Sequence, residues 1–263
     1  MGAWYNEVES YAVDWLKRLI QSGAIAEGQV DGRGIQEIVA GDCAQVVQAH
    51  FFAGIGGWSH ALRLAGWPDE LPVWTGSCPC QPFSAAGKRG CFSDERHLWP
   101  EWFRLIRECR PPVIFGEQVA SPDGLRWFDL VSFDLEGAGY AVGAADLCAA
   151  GVGAPHIRQR LYFVAVSDRE RRDGLNTLLR PESGAISETA GDGTVGVVAA
   201  SRGSFWSGCD WFPCADGKVR PVEPGSFPLA HGVPARVGRL RAYGNAIVPQ
   251  VAATFIRAVM EVL

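Results

Sequence analysis

Cys80 is the side chain of this sequence best suited to covalent chemistry, because it lies in a loop that two prolines stiffen. An apolar run at residues 71–74 predicts a strand before the loop, and Pro79 and Pro82 fix the backbone around Cys80 and Gln81. A rigid loop of this kind suits a nucleophile, because the loop loses little further conformational entropy when it binds a substrate. A cysteine alone says little, because most free thiols are buried or inert.

A glycine turn at residues 54–57 is the second candidate site. It follows an apolar run at residues 46–52 and precedes a helix predicted over residues 59–65. A strand, a glycine turn and a helix in this order let a cofactor approach the backbone closely. NAD binding is the competing interpretation, but the spacing is Gly-x-Gly-Gly and not the Gly-x-Gly-x-x-Gly of dinucleotide sites.

Charged side chains suited to catalysis lie near two further predicted strands. Glu117 follows the apolar run 113–115, and we expect it just past the end of that strand. Arg158 and Arg160 precede or begin an extended run at residues 160–166. Ligands of open α/β sheets bind at the carboxyl ends of the strands, so the glycine turn, Cys80 and Glu117 are expected at one edge.

Several stretches, spread over nearly the whole chain, together resemble the motifs of the DNA cytosine-5 methyltransferases. They are Gly76-Ser77-Cys78-Pro79-Cys80-Gln81-Pro82-Phe83-Ser84, Phe52-Ala53-Gly54-Ile55-Gly56-Gly57, Arg158-Gln159-Arg160-Leu161-Tyr162-Phe163, Gly244-Asn245-Ala246-Ile247-Val248-Pro249 and Gly116-Glu117-Gln118-Val119. Any one of them could arise by chance, whereas their joint presence makes the assignment strong. The bacterial or phage members of the family are the nearest in type.

The resemblance implies methyl transfer to C5 of cytosine in DNA, with Cys80 adding to C6 of a base that is flipped out of the duplex. Glu117 would lie near N3 of the ring, where negative charge develops. Of Arg158 and Arg160, one would hydrogen-bond the cytosine O2 and the other would steady Glu117 or the loop, and Arg160 is the preferred base contact. Gln81 and Ser84 are expected to contact the substrate.

The resemblance also implies S-adenosyl-L-methionine as the cofactor. The residues expected to bind it are Phe52, Ala53, Gly54, Ile55, Gly56 and Gly57 of the glycine turn, Glu7 and Val8, Asp31, and Asn245 and Ala246. Within this set Glu7 would receive the ribose hydroxyls and Asp31 would lie near the adenine amino group. The final segment, residues 249–263, is expected to form a helix that brings Asn245 beside the glycine turn.

The order of these motifs is shuffled relative to the family. Only 20 residues lie between Gly57 and Cys78, too few for the two strand–helix units that normally intervene. Those units are expected at the front, where residues 5–12 resemble the family's Asn-Glu-x-Asp-x-Tyr-Ala stretch. The strand ending near Glu7 should therefore lie next to the strand ending near Phe52, so that both flank one cofactor pocket.

Two positions depart from the family pattern. Gln118 replaces the usual Asn after Glu117, which leaves the support of that glutamate open. His50 stands where an aspartate commonly precedes the glycine turn, and this leaves open how the methionine amino group is held.

The predicted elements alternate between strands and helices, which indicates an α/β protein. Helices are expected from residue 10 to about Gly23 and over residues 99–109 and 125–136, with extended runs at 3–8, 140–147 and 160–166. We expect a Rossmann-like methyltransferase fold with a mostly parallel sheet. Residues 1–166 and 240–263 would form the catalytic and cofactor-binding domain, and 167–239 a small irregular target-recognition domain.

Composition limits the class of protein. The chain has 263 residues, of which 48% are apolar, enough for a sizeable core. It contains no apolar run of about eighteen residues and no basic-then-apolar leader, so a soluble protein of the bacterial cytoplasm is expected. The spacings of the eight cysteines do not form paired metal ligands, which predicts reduced thiols and no metal.

Charge is distributed unevenly along the chain. Residues 1–152 carry 11 Lys and Arg against 19 Asp and Glu, net −8, whereas residues 153–263 carry 13 against 10, net +3. The basic residues expected to contact DNA are Lys218, Arg220, Arg236 and Arg239. An ordinary solvated face is the alternative interpretation of this stretch.

Double-stranded DNA is thus the expected partner of a monomeric enzyme. An RNA (tRNA) cytosine-5 methyltransferase shares the cysteine and the glutamate and remains an alternative, as does a catalytically inactive nucleic-acid-binding relative. Retention of Cys80, Glu117 and Arg160 together argues against the inactive relative.

Overall fold

The computed structural model describes residues 2–43, 45–79, 98–168, 210–213, 219–222 and 242–263. The strands are β1 (Ala3–Asn6), β2 (Gly28–Asp31), β3 (Gln48–Phe51), β4 (Val73–Gly76), β5 (Val113–Val119), β6 (Tyr140–Leu147), β7 (Arg160–Ser167), β8 (Asp210–Pro213) and β9 (Val219–Val222). The helices are α1 (Ser10–Gln21), α2 (Ala40–Cys43), α3 (Gly57–Ala65), α4 (Trp99–Cys109), α5 (Pro122–Gly137) and α6 (Pro249–Met260), with 3₁₀ turns at Ile35–Glu37 and Ala149–Val152.

A seven-stranded sheet in the order β2-β1-β3-β4-β5-β7-β6 organises the described chain. The pairings from β2 through to β5 are parallel, and β7 runs antiparallel to both β5 and β6. The predicted α/β class and mostly parallel sheet are therefore confirmed. This sheet, with helices on its faces, is a Rossmann-like methyltransferase fold.

The N-terminal strand lies where the motif order requires it. β1 pairs with β3, with Tyr5 opposite His50, so the predicted adjacency of the two strands is confirmed. β3 and β4 are also neighbours, and the single helix α3 connects them. The short stretch between the glycine turn and Cys78 is thus one parallel crossover.

Helices cover both faces of the sheet, and a hydrophobic core lies between the sheet and the helices on each side. Successive side chains of β5 point alternately into these two cores. Ile114 packs into the cluster that α4 and α5 cover, whose largest buried members are Trp102 and Trp127. Phe115 faces the other way, into the cluster built by α3 and α6. The sheet that carries the site is therefore fixed from two sides.

β5 is longer than predicted, and this corrects the expected position of Glu117. The strand runs to Val119, so Glu117 lies within it and not just past its end. The extra residues are extended because β7 pairs with them, with Glu117 opposite Tyr162 and Val119 opposite Arg160. That antiparallel ladder could not be inferred from the apolar run 113–115 alone.

The C-terminal helix α6 returns to the main sheet and packs on α3 and β7. Its Val251 and Ile256 are buried in the same cluster as Trp58 of α3. β8 and β9 pair only with each other, as a separate two-stranded antiparallel sheet. Of the helices in the described ranges, none combines the length and the apolar character needed to span a membrane.

Candidate active site

A cavity of about 470 Å³ opens at the carboxyl ends of β1, β3 and β4. Most of its lining residues end or follow β1, β2, β3 or β4, and the others are Ala12, Leu98 and a segment just before α6. Those residues are Asn6, Glu7, Val8, Glu9, Ala12, Gly34, Ile35, Gln36, Phe52, Ala53, Gly54, Ile55, Gly57, Trp58, Ser77, Pro79, Leu98, Ala242, Asn245, Ala246 and Ile247. The structure thus brings most of the predicted cofactor-binding residues into one pocket.

Glu7 and the glycine turn are joined directly. The Gly54 N–H donates to Oε2 of Glu7 at 2.7 Å, and the Glu9 N–H donates to Oε1 at 2.9 Å. Each carboxylate oxygen accepts more than one hydrogen bond, so Glu7 keeps acceptor capacity toward the cavity. A carboxylate held in this way suits a pair of ribose hydroxyls.

The glycine turn has a left-handed backbone at several positions. Gly54 has φ 54° and Gly56 has φ 81°, values that favour glycine, and Phe52 shares the region at φ 51°. Gly56 is not among the residues that line the cavity, and its part in cofactor binding stays a prediction. A Cβ there would lie 3.2 Å from Cδ1 of Leu19, so Gly56 lets the turn pack on α1.

Arg158 attaches the Asn245 segment to the rest of the site. Its Nη2 donates to the carbonyl oxygen of Gly244 at 3.0 Å and to that of Ala246 at 2.5 Å. Its own backbone is left-handed, with φ 30°. These contacts span more than eighty residues of sequence, and they place Asn245 and Ala246 at the cavity.

Asp31, expected near the adenine group, is not among the residues that line the cavity. Its carboxylate is held by Arg33, whose Nη2 donates to Oδ2 at 2.6 Å and whose backbone N–H donates to Oδ1 at 2.9 Å. This contact lowers the pKa of Asp31. The residues that follow β2 and line the cavity are instead Gly34, Ile35 and Gln36.

Glu117 is a buried carboxyl, only 7% exposed, beside a guanidinium. Nε of Arg160 lies 3.0 Å from its Oε1, and Arg160 also donates from Nη1 to the carbonyl of Gln159 at 2.7 Å. Burial raises the pKa of Glu117, and the positive charges of Arg160 and Arg158 oppose that shift. The site therefore stabilises a proton on Glu117 while it keeps a cation close by.

Gln118 holds the beginning of the cysteine loop. Its Nε2 donates to the carbonyl of Cys78 at 3.2 Å, and its Oε1 accepts from the Val119 N–H at 2.9 Å. Cys78 itself is buried, at 3% exposed. Cys80, Gln81 and Ser84 lie outside the described residues, as do Lys218, Arg236 and Arg239. Arg220 belongs to β9, where its backbone pairs with Phe212.

His50 belongs to the core beneath the cavity, whose walls it does not form. Its ring stacks on Tyr5 with centroids 4.8 Å apart, and its Nδ1 lies 2.8 Å from Oγ1 of Thr75. Complete burial lowers the pKa of His50 to about 3, so the ring is neutral at physiological pH. A neutral, enclosed imidazole is a structural substitute for the aspartate that the family commonly has there.

The sequence interpretation missed several residues of the site. Asn6, which lines the cavity, donates from Nδ2 to the carbonyl of Arg33 at 2.8 Å. Trp58 donates from Nε1 to Oγ of Ser77 at 3.1 Å. Both Asn6 and Ser77 belong to stretches already quoted as motifs, and their place directly after or at the end of a strand was the available signal.

The sheet order, with a cavity at the strand ends, is that of the Rossmann-like methyltransferase fold. Residues 67–189 match the model of the family described as C-5 cytosine-specific DNA methylase. Residues 67–189, a little under half of the chain, are thus similar to this family.

Curated relatives match over part of their length. The chain is 34% identical over 103 residues to the Type II methyltransferase M.NgoMIV of Neisseria gonorrhoeae, covering 38% of this chain and 33% of that protein. It is 36% identical over 90 residues to the Type II methyltransferase M.HhaI of Haemophilus parahaemolyticus, covering 33% and 28%. The chain thus spans about a third of the length of these relatives.

Two solved structures can also be aligned with part of this chain. A mutant of Spodoptera frugiperda DNMT2 aligns with 66% of this chain and 43% of its own, at 18% identity and a TM-score of 0.44. The S. pombe Dnmt2 methyltransferase aligns with 67% of this chain and 56% of its own, at 14% identity and a TM-score of 0.40. In the described ranges, no cluster of His, Cys, Asp or Glu could hold a metal ion.

Proposed function

We propose that this chain transfers a methyl group to C5 of cytosine in double-stranded DNA, with S-adenosyl-L-methionine as the donor. The observation that carries the proposal is Glu117, a buried carboxyl with a raised pKa that is paired with Arg160. It lies at the base of the loop that leads to Cys80 and beside the cavity at the strand ends. The similarity of residues 67–189 to the C-5 cytosine-specific DNA methylases indicates the reaction for which this arrangement is suited.

Cys80 is the proposed nucleophile. C5 of cytosine is a poor nucleophile until a thiolate adds to C6 and forms an S–C6 bond, which converts the ring to an enamine. Cys80 precedes Gln81 in the Pro-Cys-Gln arrangement, whereas Cys78 is buried and its carbonyl is hydrogen-bonded to Gln118. Because C5 and C6 are stacked inside a duplex, the base must be flipped into the site.

Glu117 and Arg160 stabilise the charge that develops during this addition. The protonated carboxyl donates to N3, and the guanidinium has N–H groups beyond those that contact Glu117 and Gln159, which can reach the O2. After methyl transfer a base removes the C5 proton, the C5–H electrons form the C5=C6 double bond, and the S–C6 electrons leave with Cys80, which is released as thiolate.

The cavity fits the cofactor in volume and in the kinds of group it presents. When bound, S-adenosylmethionine supplies an electrophilic methyl group. Glu7 is proposed to accept the ribose hydroxyls, while the glycine turn and the Asn245–Ala246 backbone enclose the remainder. Ile35 and Gln36, which line the cavity after β2, are proposed to cover the adenine group.

The shuffled motif order belongs to the same proposal. β1 and β2 precede β3 along the chain, although the family's usual order begins with the glycine-turn strand. The spatial arrangement tolerates this order, because packing depends on strand neighbours and crossover handedness and not on where the termini lie.

Residues 167–239 are proposed to recognise the target sequence, as a region separate from the catalytic domain formed by residues 1–166 and 240–263. The pairing of β8 with β9, apart from the seven-stranded sheet, supports this division. Lys218, Arg220, Arg236 and Arg239 are the proposed DNA contacts. We propose that the protein acts as a monomer in the bacterial cytoplasm, where DNA modification is its task.

Covalent trapping on modified DNA and bisulfite sequencing of cellular DNA together test the proposal. DNA containing 5-fluorocytosine should form a stable covalent complex with the protein and cofactor, because the fluorine blocks release of Cys80. Cys80→Ala should abolish trapping, and Cys78→Ala should retain it. Bisulfite sequencing of DNA from cells that express the protein should show methylated cytosines, which the Cys80→Ala control lacks.

Two outcomes would contradict the proposal. Trapping that depends on Cys78 and survives Cys80→Ala would overturn the choice of nucleophile. Methylation of tRNA in a parallel assay, with DNA unmodified, would replace DNA by RNA as the substrate.

A further inference from the structure

Ser77 is the first residue after β4, at the start of the loop that leads to Cys80. Its hydroxyl oxygen accepts a hydrogen bond from Nε1 of Trp58 at 3.1 Å. An indole N–H can only donate, so this contact uses the oxygen of Ser77 and leaves its proton for another acceptor. Trp58 belongs to the first turn of α3, and both residues line the cofactor cavity.

The Glu117 carboxyl lies next to Ser77, because Gly76 pairs with Gly116 and Ser77 and Glu117 are the next residues along the neighbouring strands β4 and β5. It is the acceptor toward which the Ser77 proton can point. Three further titratable or charged groups face this carboxyl, namely Arg158, Arg160 and Tyr162. The arginines approach from β7 and the segment before it. Ser77 approaches from the β4 side and connects Glu117 to the wall of the cavity.

We propose that Ser77 is a positioning residue, which orients the Glu117 carboxyl and joins it, through Trp58, to the wall of the cofactor cavity. The role of Glu117 in the reaction rests on the function proposed above, whereas the contact with Ser77 does not. Trp58 fixes the Ser77 oxygen, so the single hydroxyl proton is directed at the carboxylate. Glu117 is then held from two sides, by Ser77 and by Arg160.

This arrangement has a measurable consequence for protonation. A hydrogen bond donated to a carboxylate favours its charged form, so the Ser77 contact lowers the pKa of Glu117, while burial raises it. Removal of the hydroxyl should therefore raise the pKa of Glu117, because one of the contacts that oppose the effect of burial is lost. Glu117 should then keep its proton to higher pH.

The test is a carbon-13 NMR titration of the apoprotein with labelled glutamate side-chain carboxyls. The Glu117 signal is identified by its loss in Glu117→Gln. Ser77→Ala should shift the titration of this signal to higher pH, and Ser77→Thr should restore it because it keeps the hydroxyl. Trp58→Phe should shift it in the same direction by a smaller amount, since Ser77 is retained but no longer oriented.

Ser59→Ala is the matched control. Ser59 is also a buried, hydrogen-bonded serine next to Trp58, and its Oγ contacts the Tyr5 hydroxyl at 3.0 Å and the Ala26 N–H at 3.1 Å. Its removal should lower the melting temperature without moving the Glu117 titration. If Ser77→Ala does not fold, Ser77→Cys replaces it, because a thiol is similar in shape but a weak donor.

An unchanged Glu117 titration in a folded Ser77→Ala or Ser77→Cys protein would overturn the proposal. This readout needs no methyl transfer, so its failure is distinguishable from failure of the proposed function. In the active enzyme, the high-pH limb of the kcat profile should move to higher pH in Ser77→Ala. At its optimum kcat should fall about ten-fold, the size of one lost charged hydrogen bond, and Ser77→Thr should recover most of it.

Discussion

Arg158 and Arg160 lie two residues apart, yet the hydrogen bonds of the Arg158 guanidinium and the ion pair of the Arg160 guanidinium go to different halves of the candidate site. Arg158 donates to the carbonyls of Gly244 and Ala246, on the side of the cofactor cavity. Arg160 pairs with the buried Glu117, on the side where the reacting base would lie. Arg158 precedes β7 with a left-handed backbone, whereas Arg160 is the first residue of β7, so the two side chains take different directions.

The two halves are also stabilised by different kinds of group. The cofactor half depends largely on backbone atoms, such as the Gly54 N–H that donates to Glu7 and the carbonyls that Arg158 binds. The catalytic half depends on side chains, because Glu117, Arg160 and Gln118 supply its contacts. Substitutions that remove a side-chain group should therefore affect the catalytic half most. A Cβ added at a glycine should affect the cofactor half most.

Arg160→Met should have the largest effect. Loss of the guanidinium removes the cation that stabilises charge on the substrate, and kcat should fall about 10² to 10³-fold. Cofactor affinity, measured by isothermal titration calorimetry, should change less than about two-fold, because Arg160 does not line the cavity. Arg160 also lowers the pKa of Glu117, so the residual activity should persist to higher pH.

Arg158→Met should show the opposite pattern. The segment that carries Asn245 loses its attachment, and the Kd for S-adenosylmethionine should rise about ten-fold, as expected for lost charge-assisted hydrogen bonds. At saturating cofactor, kcat should remain within about three-fold of the unmodified enzyme. A strong loss of kcat with unchanged cofactor binding would contradict the assignment of Arg158 to the cofactor half of the site.

Gly57→Ala should weaken cofactor binding by several-fold, through packing. The added Cβ would lie 2.9 Å from Cγ1 of Ile247, which lines the cavity beside Asn245. Ile247→Ala removes that carbon, so the double variant should bind the cofactor more tightly than Gly57→Ala alone, as a thermodynamic cycle would measure. Additive losses in the two single variants would argue against a shared contact.

Gln118→Asn should have the smallest effect. The shorter amide loses reach toward the carbonyl of Cys78, which it now contacts at 3.2 Å, while the cavity is untouched. We expect kcat to fall about two- to five-fold, the cost of one neutral hydrogen bond, with unchanged cofactor affinity. Steady-state kinetics at saturating cofactor measure this effect, and a gain in kcat would show that the family's usual Asn is the better support.

Local sequence patterns determined much of the fold. The apolar periodicity of residues 99–109 predicted α4 with the bounds that it has, and residues 140–147 were correctly predicted as extended. The cofactor pocket, too, could be anticipated, because the residues that line it follow strands that were visible as apolar runs. These features depend on neighbours in the chain, so the sequence contains them directly.

Tertiary contacts decided the remainder. The antiparallel pairing with β7 extended β5 past Glu117, and the nearby Arg33 bound the Asp31 carboxylate. The link from Trp58 to Ser77 likewise joins an α3 side chain to the end of β4. Such contacts depend on which strands become neighbours and on which side chains burial brings together, and no local pattern of residue types encodes either.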